Sequence, residues 1–323
     1  MTPLYLVDAS LYVFRAWHSM PDEFRDADGW PTNAVHGFAR FLAELVERER
    51  PRHIAIAFDE ALDSCFRHRL YPAYKANRAP APDELRRQFA HCKALCRALG
   101  LPVLADSEYE ADDLIGSALH VHRGSHRGVI ISADKDLSQL LVDHDEQWDY
   151  ARNQRWNVAG VKARHGVHAH QIADYLALSG DAVDNIPGVP GVGEKTAVGL
   201  LVGVGGGLEV LYANLDKVPE LPIRGAKGLP AKLEEHREMA YLSYQLATIK
   251  TDVPLNIAID SLHPGEPDLA ALAACPLISY ESSTRPGSSL QRAFADAGLV
   301  PDLSLTALDA DLIKTYVRTG LGV

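Results

Sequence analysis

Short apolar runs that lead into aspartates recur through the first half of the chain. These runs and their aspartates are Leu4–Val7 with Asp8, His53–Phe58 with Asp59, and Gly128–Ser132 with Asp134. Helical spacing of apolar residues from Asn33 to Arg48 predicts a crossover helix, and a further strand is predicted at Leu101–Leu104. The alternation predicts an α/β fold with a mainly parallel sheet and flanking helices. Because parallel strands end at one sheet edge, we expect the three aspartates to converge.

Composition narrows the class of protein. The chain has 323 residues, is 47% hydrophobic, and lacks a run of about eighteen apolar residues that could cross a membrane. Its start, Met1–Asp8, resembles a strand rather than a signal peptide, so we expect a soluble cytoplasmic protein. The cysteines lack paired C-x-x-C spacing, which argues against a disulfide framework or a zinc ribbon. They are Cys65, Cys92, Cys96 and Cys275.

Carboxylates form tight groups without histidine or cysteine beside them. They are Asp8, Asp59, Glu110, Asp112, Asp113, Asp134, Asp136, Asp181 and Asp184. Glu110 with Asp113, and Asp181 with Asp184, are three residues apart and are predicted to share helix faces. Oxygen-only ligand sets suit Mg²⁺ or Mn²⁺ rather than zinc. Ordinary surface acidity is the alternative for any one pair, but the apolar residues around these groups favour a metal site.

The net charge of −11 disfavours a polyanionic partner. However, Cys65–Gly100 holds eight Lys or Arg residues against two acidic ones, which indicates a basic patch. Within it, Lys75 and Arg78 are three residues apart, and we expect them to share a helical face and contact a phosphate. Tyr74 is predicted to stack on an unpaired base.

Seven blocks of the sequence together resemble the 5′-nuclease family of flap endonucleases and 5′-3′ exonucleases, which includes the N-terminal domain of bacterial DNA polymerase I. The blocks are Leu6–Asp8, Phe58–Asp59, Phe66–His68, Tyr74–Pro80, Tyr109–Asp113, Ala133–Leu137 and Gly180–Ala197. Their order and spacing agree with the family from about Leu4 to Leu299. Ala9 departs from the family's usual glycine, and the absence of a polymerase domain predicts a free-standing nuclease.

The resemblance implies a PIN-like fold of the flap-endonuclease type. Its catalytic core would occupy residues 1–180, including a helical arch at about 65–100. Residues 181–260 would form a helix-hairpin-helix-like subdomain that binds duplex DNA. Residues 261–323 would complete the fold and end in a tail for which no role is predicted.

The resemblance also assigns roles to the carboxylates. In the family they hold two divalent ions, Mg²⁺ or Mn²⁺, about 4 Å apart. The first ion would be bound by Asp8, Asp59, Glu110 and Asp112, the second by Asp134, Asp136, Asp181 and Asp184, with Asp113 supporting both. Lys75, Arg78 and Asp113 are the predicted catalytic residues.

The predicted DNA contacts lie in two regions. Near the first strand and the arch they are Arg15, Arg67, Tyr74, Lys75 and Arg78. In the glycine-rich turn they are Gly188, Gly191, Gly193, Lys195 and Thr196. This turn is not a nucleotide-binding loop, because Glu194 separates Gly193 from Lys195. By resemblance it binds K⁺ through carbonyl groups and holds duplex DNA without reading its sequence.

The expected function is that of a structure-specific 5′ nuclease in replication or repair, acting as a monomer. Branched, flapped or nicked DNA, or an RNA primer on DNA, would be the substrate. A catalytically weak branched-DNA-binding module is the alternative, and the retained second-ion carboxylates favour the enzyme. A PIN-type ribonuclease would share the acidic core but would not account for the glycine-rich turn or the basic arch.

Overall fold

The computed structural model describes residues 1–21, 25–26, 29–60, 65–255, 257–273, 277–280, 285, 287–301 and 303–307. Six strands form one sheet in the order β3-β2-β1-β4-β5-β6. They are β1 (Thr2–Asp8), β2 (His53–Asp59), β3 (Val103–Asp106), β4 (His126–Ile131), β5 (Glu146–Asp149) and β6 (Gln154–Trp156). β4 pairs parallel with β1 and β5, and β6 is antiparallel to β5. The predicted mainly parallel sheet is confirmed.

Helices flank the strands along the described chain. They are α1 (Ala9–Ser19), α2 (Asn33–Glu49), α3 (Phe66–Leu70), α4 (Asp83–Ala98), α5 (Ala111–His122), α6 (Val158–His165), α7 (Ile172–Ser179), α8 (Glu194–Val204), α9 (Leu208–Ala213), α10 (Leu229–Glu235), α11 (Arg237–Ala247), α12 (Leu269–Ala273) and α13 (Ser289–Asp296). The predicted crossover helix is α2. The strand expected from Leu101 begins two residues later, after Pro102, which has no N–H for a ladder.

Contacts divide the chain into two compact units. The first comprises Met1–Asp8, Ala57–Pro80 and Leu104–Ala258, and the second comprises Ala9–Ile56, Ala81–Val103 and the described residues from Ile259 onward. In the second unit, α1 and α2 pack through stacked Tyr12 and Phe41 rings 4.0 Å apart. Strands β7 (Leu277–Tyr280) and β8 (Leu303–Ala307) pair in parallel there.

Two segments expected to be helical are turns instead. Residues 71–78 form consecutive turns, and the Lys75 N–H bonds to the carbonyl of Asp184 at 2.9 Å rather than to the preceding helical turn. Lys75 has a φ of 55°, outside the right-handed helical region. Asp181 pairs with Ile186 in an antiparallel bridge that closes a turn around Asp184. The predicted helical faces for Lys75 with Arg78, and for Asp181 with Asp184, are therefore wrong.

No helix among the described residues is both long and apolar enough to cross a membrane. Cys65, Cys92 and Cys96 are buried free thiols. Cys275 and residues 308–323 of the predicted tail lie outside the described residues.

Candidate active site

The strand-end aspartates are fixed by short hydrogen bonds. Ser132, which follows β4, donates its hydroxyl to Asp8 Oδ2 at 2.8 Å and accepts the Asp134 N–H at 3.0 Å. Asp59 Oδ1 accepts the N–H of Ala111 at 2.8 Å, which ties the end of β2 to the start of α5. Ser132 was not predicted, because a lone serine after a strand carries no pattern that sequence reasoning can recognise.

Glu110 and Asp113 form a reciprocal capping box at the start of α5. Asp113 is fully buried, and its two oxygens accept bonds of 2.7 and 2.8 Å from the guanidinium of Arg67. The same oxygens also accept the N–H groups of Glu110 at 3.1 Å and Lys250 at 2.8 Å. Four donors leave no free lone pair. Asp113 therefore anchors Arg67, and its predicted support of both ions stays a prediction.

Cationic and phenolic groups meet at Glu110 and Asp184. Lys75 and Arg67 both pair with Glu110, and the Tyr74 hydroxyl donates to it at 3.0 Å. Arg78 pairs with Asp184, and Lys75 Nζ lies 3.6 Å from Asp184 Oδ2. Lys75 and Arg78 thus converge on one carboxylate, although the turn achieves this rather than a helix.

Ion pairing lowers the pKa of two carboxylates. Burial alone would raise the pKa of Glu110, but Lys75 and Arg67 outweigh it and hold the pKa below its usual value. Burial likewise opposes ionisation of Asp181, yet its bond with Lys135 lowers the pKa. Both side chains are therefore ionised and balanced by cations of the protein.

Asp112, Asp134 and Asp136 have raised rather than lowered pKa values. Burial, followed by the charges of Asp134, Asp8 and Asp59, raises the pKa of Asp112 well above its usual value. Burial and Asp134 do the same to the pKa of Asp136, and burial raises the pKa of Asp134 although part of its side chain reaches solvent. The Oδ1 atom of Asp136 is buried and has no hydrogen-bond partner in the part of the chain that the structure describes. These three carboxylates lack sufficient positive charge.

The donor set fits hard divalent cations. Arg67, Lys75, Arg78 and Lys135 pair with Glu110, Asp113, Asp181 and Asp184. The raised pKa values of Asp112, Asp134 and Asp136 indicate an excess of negative charge at those three carboxylates. Within the described part of the chain, no three acidic, histidine or cysteine side chains are grouped so that they could hold one ion. The carboxylates repel one another, and the cationic side chains draw individual carboxylates toward themselves. The assignment of particular carboxylates to the two ions therefore stays a prediction.

Three of the predicted DNA contacts are buried. The side chains of Arg67 and Tyr74 are each 3% exposed and bond to the carboxylates. Gly188 is buried, and its N–H donates to Ser243 Oγ at 3.0 Å. A Cβ at Gly188 would come within 2.3 Å of the Gly180 nitrogen, so its lack of a side chain allows two turns to cross.

The remaining predicted contacts lie at surfaces. Gly191 has a φ of 77°, and exposed Gly193 is the N-cap of α8. Lys195 is exposed and Thr196 half-buried in the first turn of that helix. Arg15 is half-buried in α1 and belongs to the second unit, whereas the carboxylates belong to the first.

A second basic surface, on α6, was missed by the sequence analysis. Arg164 lies over the Trp156 ring at 4.2 Å and donates to Gln154 at 2.8 Å, while Lys162 Nζ lies 3.1 Å from His168 Nε2. Neither cation pairs with a carboxylate among the described residues. An open cavity of about 410 Å³ lies beside Trp156 and Arg164. The missed signal is the absence of any acidic residue between positions 149 and 174 of a chain with net charge −11.

Family comparisons divide the chain into two matched regions. Residues 3–166 match the 5′-3′ exonuclease N-terminal resolvase-like domain, and residues 167–270 match the 5′-3′ exonuclease C-terminal SAM fold.

Relatives and solved structures agree with these matches. The chain is 55% identical to DNA polymerase I of Pseudomonas aeruginosa over 84% of its own length, but it spans only 30% of that relative. It is 33% identical to a 5′-3′ exonuclease of Buchnera aphidicola, covering 80% of this chain and 90% of the relative. A bacteriophage T5 flap endonuclease, solved as a pseudo-enzyme–product complex with DNA and metal ions, superposes with a TM-score of 0.63 at 22% identity. That superposition covers 77% of this chain and 90% of the T5 chain.

Proposed function

Because the chain belongs to the 5′-3′ exonuclease family, we propose that it is a metal-dependent, structure-specific 5′ nuclease of DNA. The observation that carries this proposal is the unbalanced negative charge at Asp112, Asp134 and Asp136. The test compares cleavage of 5′-flap, nicked and single-stranded DNA in Mg²⁺ and in EDTA. Binding to flap DNA without cleavage in Mg²⁺ would instead identify a catalytically weak branched-DNA-binding module.

Two Mg²⁺ or Mn²⁺ ions are the proposed cofactors. Asp8, Asp59, Glu110 and Asp112 would hold the first, and Asp134, Asp136, Asp181 and Asp184 the second. When bound, such a pair activates water and stabilises the leaving oxygen of a phosphodiester. Asp113 contributes indirectly, because it fixes Arg67, which in turn contacts Glu110.

Lys75 and Arg78 are the proposed contacts of the scissile phosphate. Their cationic groups stand beside Glu110 and Asp184, so a phosphate held by them would lie next to the carboxylates. Arg78 offers a planar fork for two phosphate oxygens, and Lys75 offers a compact point charge. The Tyr74 hydroxyl lies on the buried side, 3.0 Å from Glu110 and 3.2 Å from Asp184, and donates its single proton to one of them at a time.

Duplex DNA is the proposed ligand of the glycine turn. Gly191, Gly193, Lys195 and Thr196 would contact its phosphates at the start of α8, with a K⁺ ion held by turn carbonyls. This keeps the proposed division into a catalytic core at 1–180 with an arch at about 65–100, a duplex-binding subdomain at 181–260 and a C-terminal segment at 261–323. Arg15 is a further proposed contact. The substrates would be replication or repair intermediates, including RNA primers on DNA, bound by a monomer.

Gly191→Val is expected to weaken duplex binding and remove its K⁺ dependence. Among the described residues, a Cβ at Gly191 would crowd only the flexible Lys232 side chain, so the main effect is strain from a φ of 77°. Duplex affinity is measured in K⁺ and in Na⁺ buffers. Gly205→Val, at a φ of 70° with open space around it, is the control for strain alone. Retained K⁺ dependence in Gly191→Val would show that the turn is only a connector.

The α6 surface extends the proposed duplex interface. α6 is followed by Gly166, which abuts Val198 of α8: a Cβ there would lie 2.9 Å from Val198 Cγ1. The double variant Lys162→Ala/Arg164→Ala is expected to reduce the salt slope of log K for duplex DNA by about two units, since each lost phosphate contact removes about one. Single-turnover rates at saturating enzyme should not change.

The control for this experiment is Arg40→Ala on α2, an exposed arginine paired with Glu44. An unchanged salt slope in the double variant, equal to that of Arg40→Ala, would identify the α6 residues as a solvated surface.

A further inference from the structure

The segment Leu246–Lys250, here called the brace, comprises the last residues of α11 and the three that follow. Its backbone forms hydrogen bonds with Arg67 and Asp113, two residues that contact Glu110. Arg67 donates Nε to the Leu246 carbonyl at 2.8 Å and Nη2 to the Thr248 carbonyl at 3.0 Å. The Lys250 N–H donates to Asp113 at 2.8 Å. One face of the brace therefore fixes the guanidinium that holds Glu110.

The brace is also bonded to the turn that carries Asp134 and Asp136. Gln139 donates Nε2 to the Ala247 carbonyl at 3.0 Å and accepts the Ile249 N–H at 3.0 Å through Oε1. The same Nε2 lies 2.9 Å from the backbone carbonyl of Asp136. The side-chain amide of Gln139 thus links the brace to the segment that carries Asp134 and Asp136. It does so through backbone groups and not through a carboxylate oxygen.

The helix α11, which leads into the brace, also contacts the glycine turn. Ser243 of α11 is fully buried, and its hydroxyl accepts the N–H of Gly188 at 3.0 Å. The brace itself packs tightly on α5, since a Cβ at Gly116 would lie 2.9 Å from the Lys250 carbonyl oxygen. The helix that ends in the brace, α11, is therefore also hydrogen-bonded to the glycine turn through Ser243.

We propose that Arg67 and Gln139 are positioning residues that couple duplex-DNA binding at the glycine turn to divalent-ion binding by the carboxylates. The inference rests on the proposed function, because it takes the duplex and the ions as the two ligands. Coupling between binding sites is reciprocal, so duplex DNA tightens ion binding by the factor by which ions tighten duplex binding. Arg67 acts through Glu110 and Asp113, and Gln139 acts through the backbone of Asp136.

The test measures Mn²⁺ binding to the full chain by electron paramagnetic resonance, with and without a closed dumbbell duplex that has no 5′ end to cleave. In the parent protein the duplex should tighten Mn²⁺ binding by about fivefold or more, within the usual range of coupling. In Gln139→Met and Arg67→Lys this factor should fall toward one. Gln245→Met, an exposed position on α11, should retain it.

A purely structural role for the brace would lower the thermal midpoint of the variants but leave the coupling factor unchanged. That outcome in both variants, or the absence of duplex-induced tightening in the parent, would overturn the inference. Failure of the proposed function has a different signature: the parent would show coupled Mn²⁺ and duplex binding but would not cleave flap DNA. If flap DNA is cleaved without any coupling, the inference fails and the proposed function stands.

Discussion

Asp134→Asn is expected to lower the single-turnover rate of 5′-flap cleavage by about a thousandfold at saturating Mg²⁺. Loss of a metal ligand removes several kcal/mol of transition-state stabilisation, and each factor of ten in rate corresponds to about 1.4 kcal/mol. Affinity for flap DNA, measured in Ca²⁺, should stay the same or rise slightly, because one negative charge near the phosphates is lost. Rates equal to those of the parent would refute the assignment of Asp134 as a ligand.

Two measurements separate this effect from misfolding. The raised pKa of Asp134 means that ionisation costs folding free energy at neutral pH, a cost that shrinks as the pH falls through that pKa and is gone below the ordinary value of 3.8. The asparagine variant should therefore unfold in EDTA at the same temperature as the parent or a higher one. Asp216→Asn, an exposed position outside the carboxylate cluster, should change neither the rate nor the stability.

The sequence was sufficient to predict the ends of β1, β2 and β4 to within one residue, whereas β3 ends two residues beyond its predicted end and β5 and β6 were not predicted. Alternating apolar runs and an intervening helix define parallel strands, and β1 and β4 do pair in parallel so that Asp8 and Ser132 emerge side by side. The charges of Asp134, Asp8 and Asp59 all raise the pKa of Asp112, as expected of side chains at one sheet edge. Strand periodicity is a local property, which is why it can be read without the fold.

Arg67 shows where local reasoning failed. It lies in a segment rich in arginine and lysine, where exposure is the natural expectation. Its partners are Asp113, and Leu246 and Thr248 about 180 positions further along the chain. No spacing rule connects residues so far apart, so the burial of Arg67 is visible only in three dimensions.

The local conformation of Lys75 was missed for a related reason. The i, i+3 spacing of Lys75 and Arg78 suggests a helical face, but the Lys75 N–H bonds to the Asp184 carbonyl in a distant turn. That tertiary bond stabilises a positive φ that local propensity disfavours. Both cationic groups nevertheless reach Asp184, so the proposed role in phosphate binding does not depend on a helix.

Lys75→Ala is expected to lower single-turnover cleavage by about a hundredfold, the usual consequence of losing one preorganised electrostatic contact. DNA affinity should fall much less, with the salt slope of log K reduced by about one unit. Lys93→Ala, on α4, is the matched control and should leave the cleavage rate nearly unchanged. Similar mild effects from the two substitutions would remove the electrostatic component from the proposed mechanism.

The ion dependence of Lys75→Ala distinguishes a phosphate contact from a simple counter-ion. Lys75 pairs with Glu110 and lies near Asp184, and these carboxylates outweigh burial in raising the pKa of Lys75. Removing the ammonium frees Oε1 of Glu110 for a divalent ion, so the Mg²⁺ concentration at half-maximal rate should decrease while the maximal rate falls. A counter-ion alone would give the first change without the second, because the ion would replace the lost charge. The combination of both changes therefore requires that Lys75 act on the substrate as well as on Glu110.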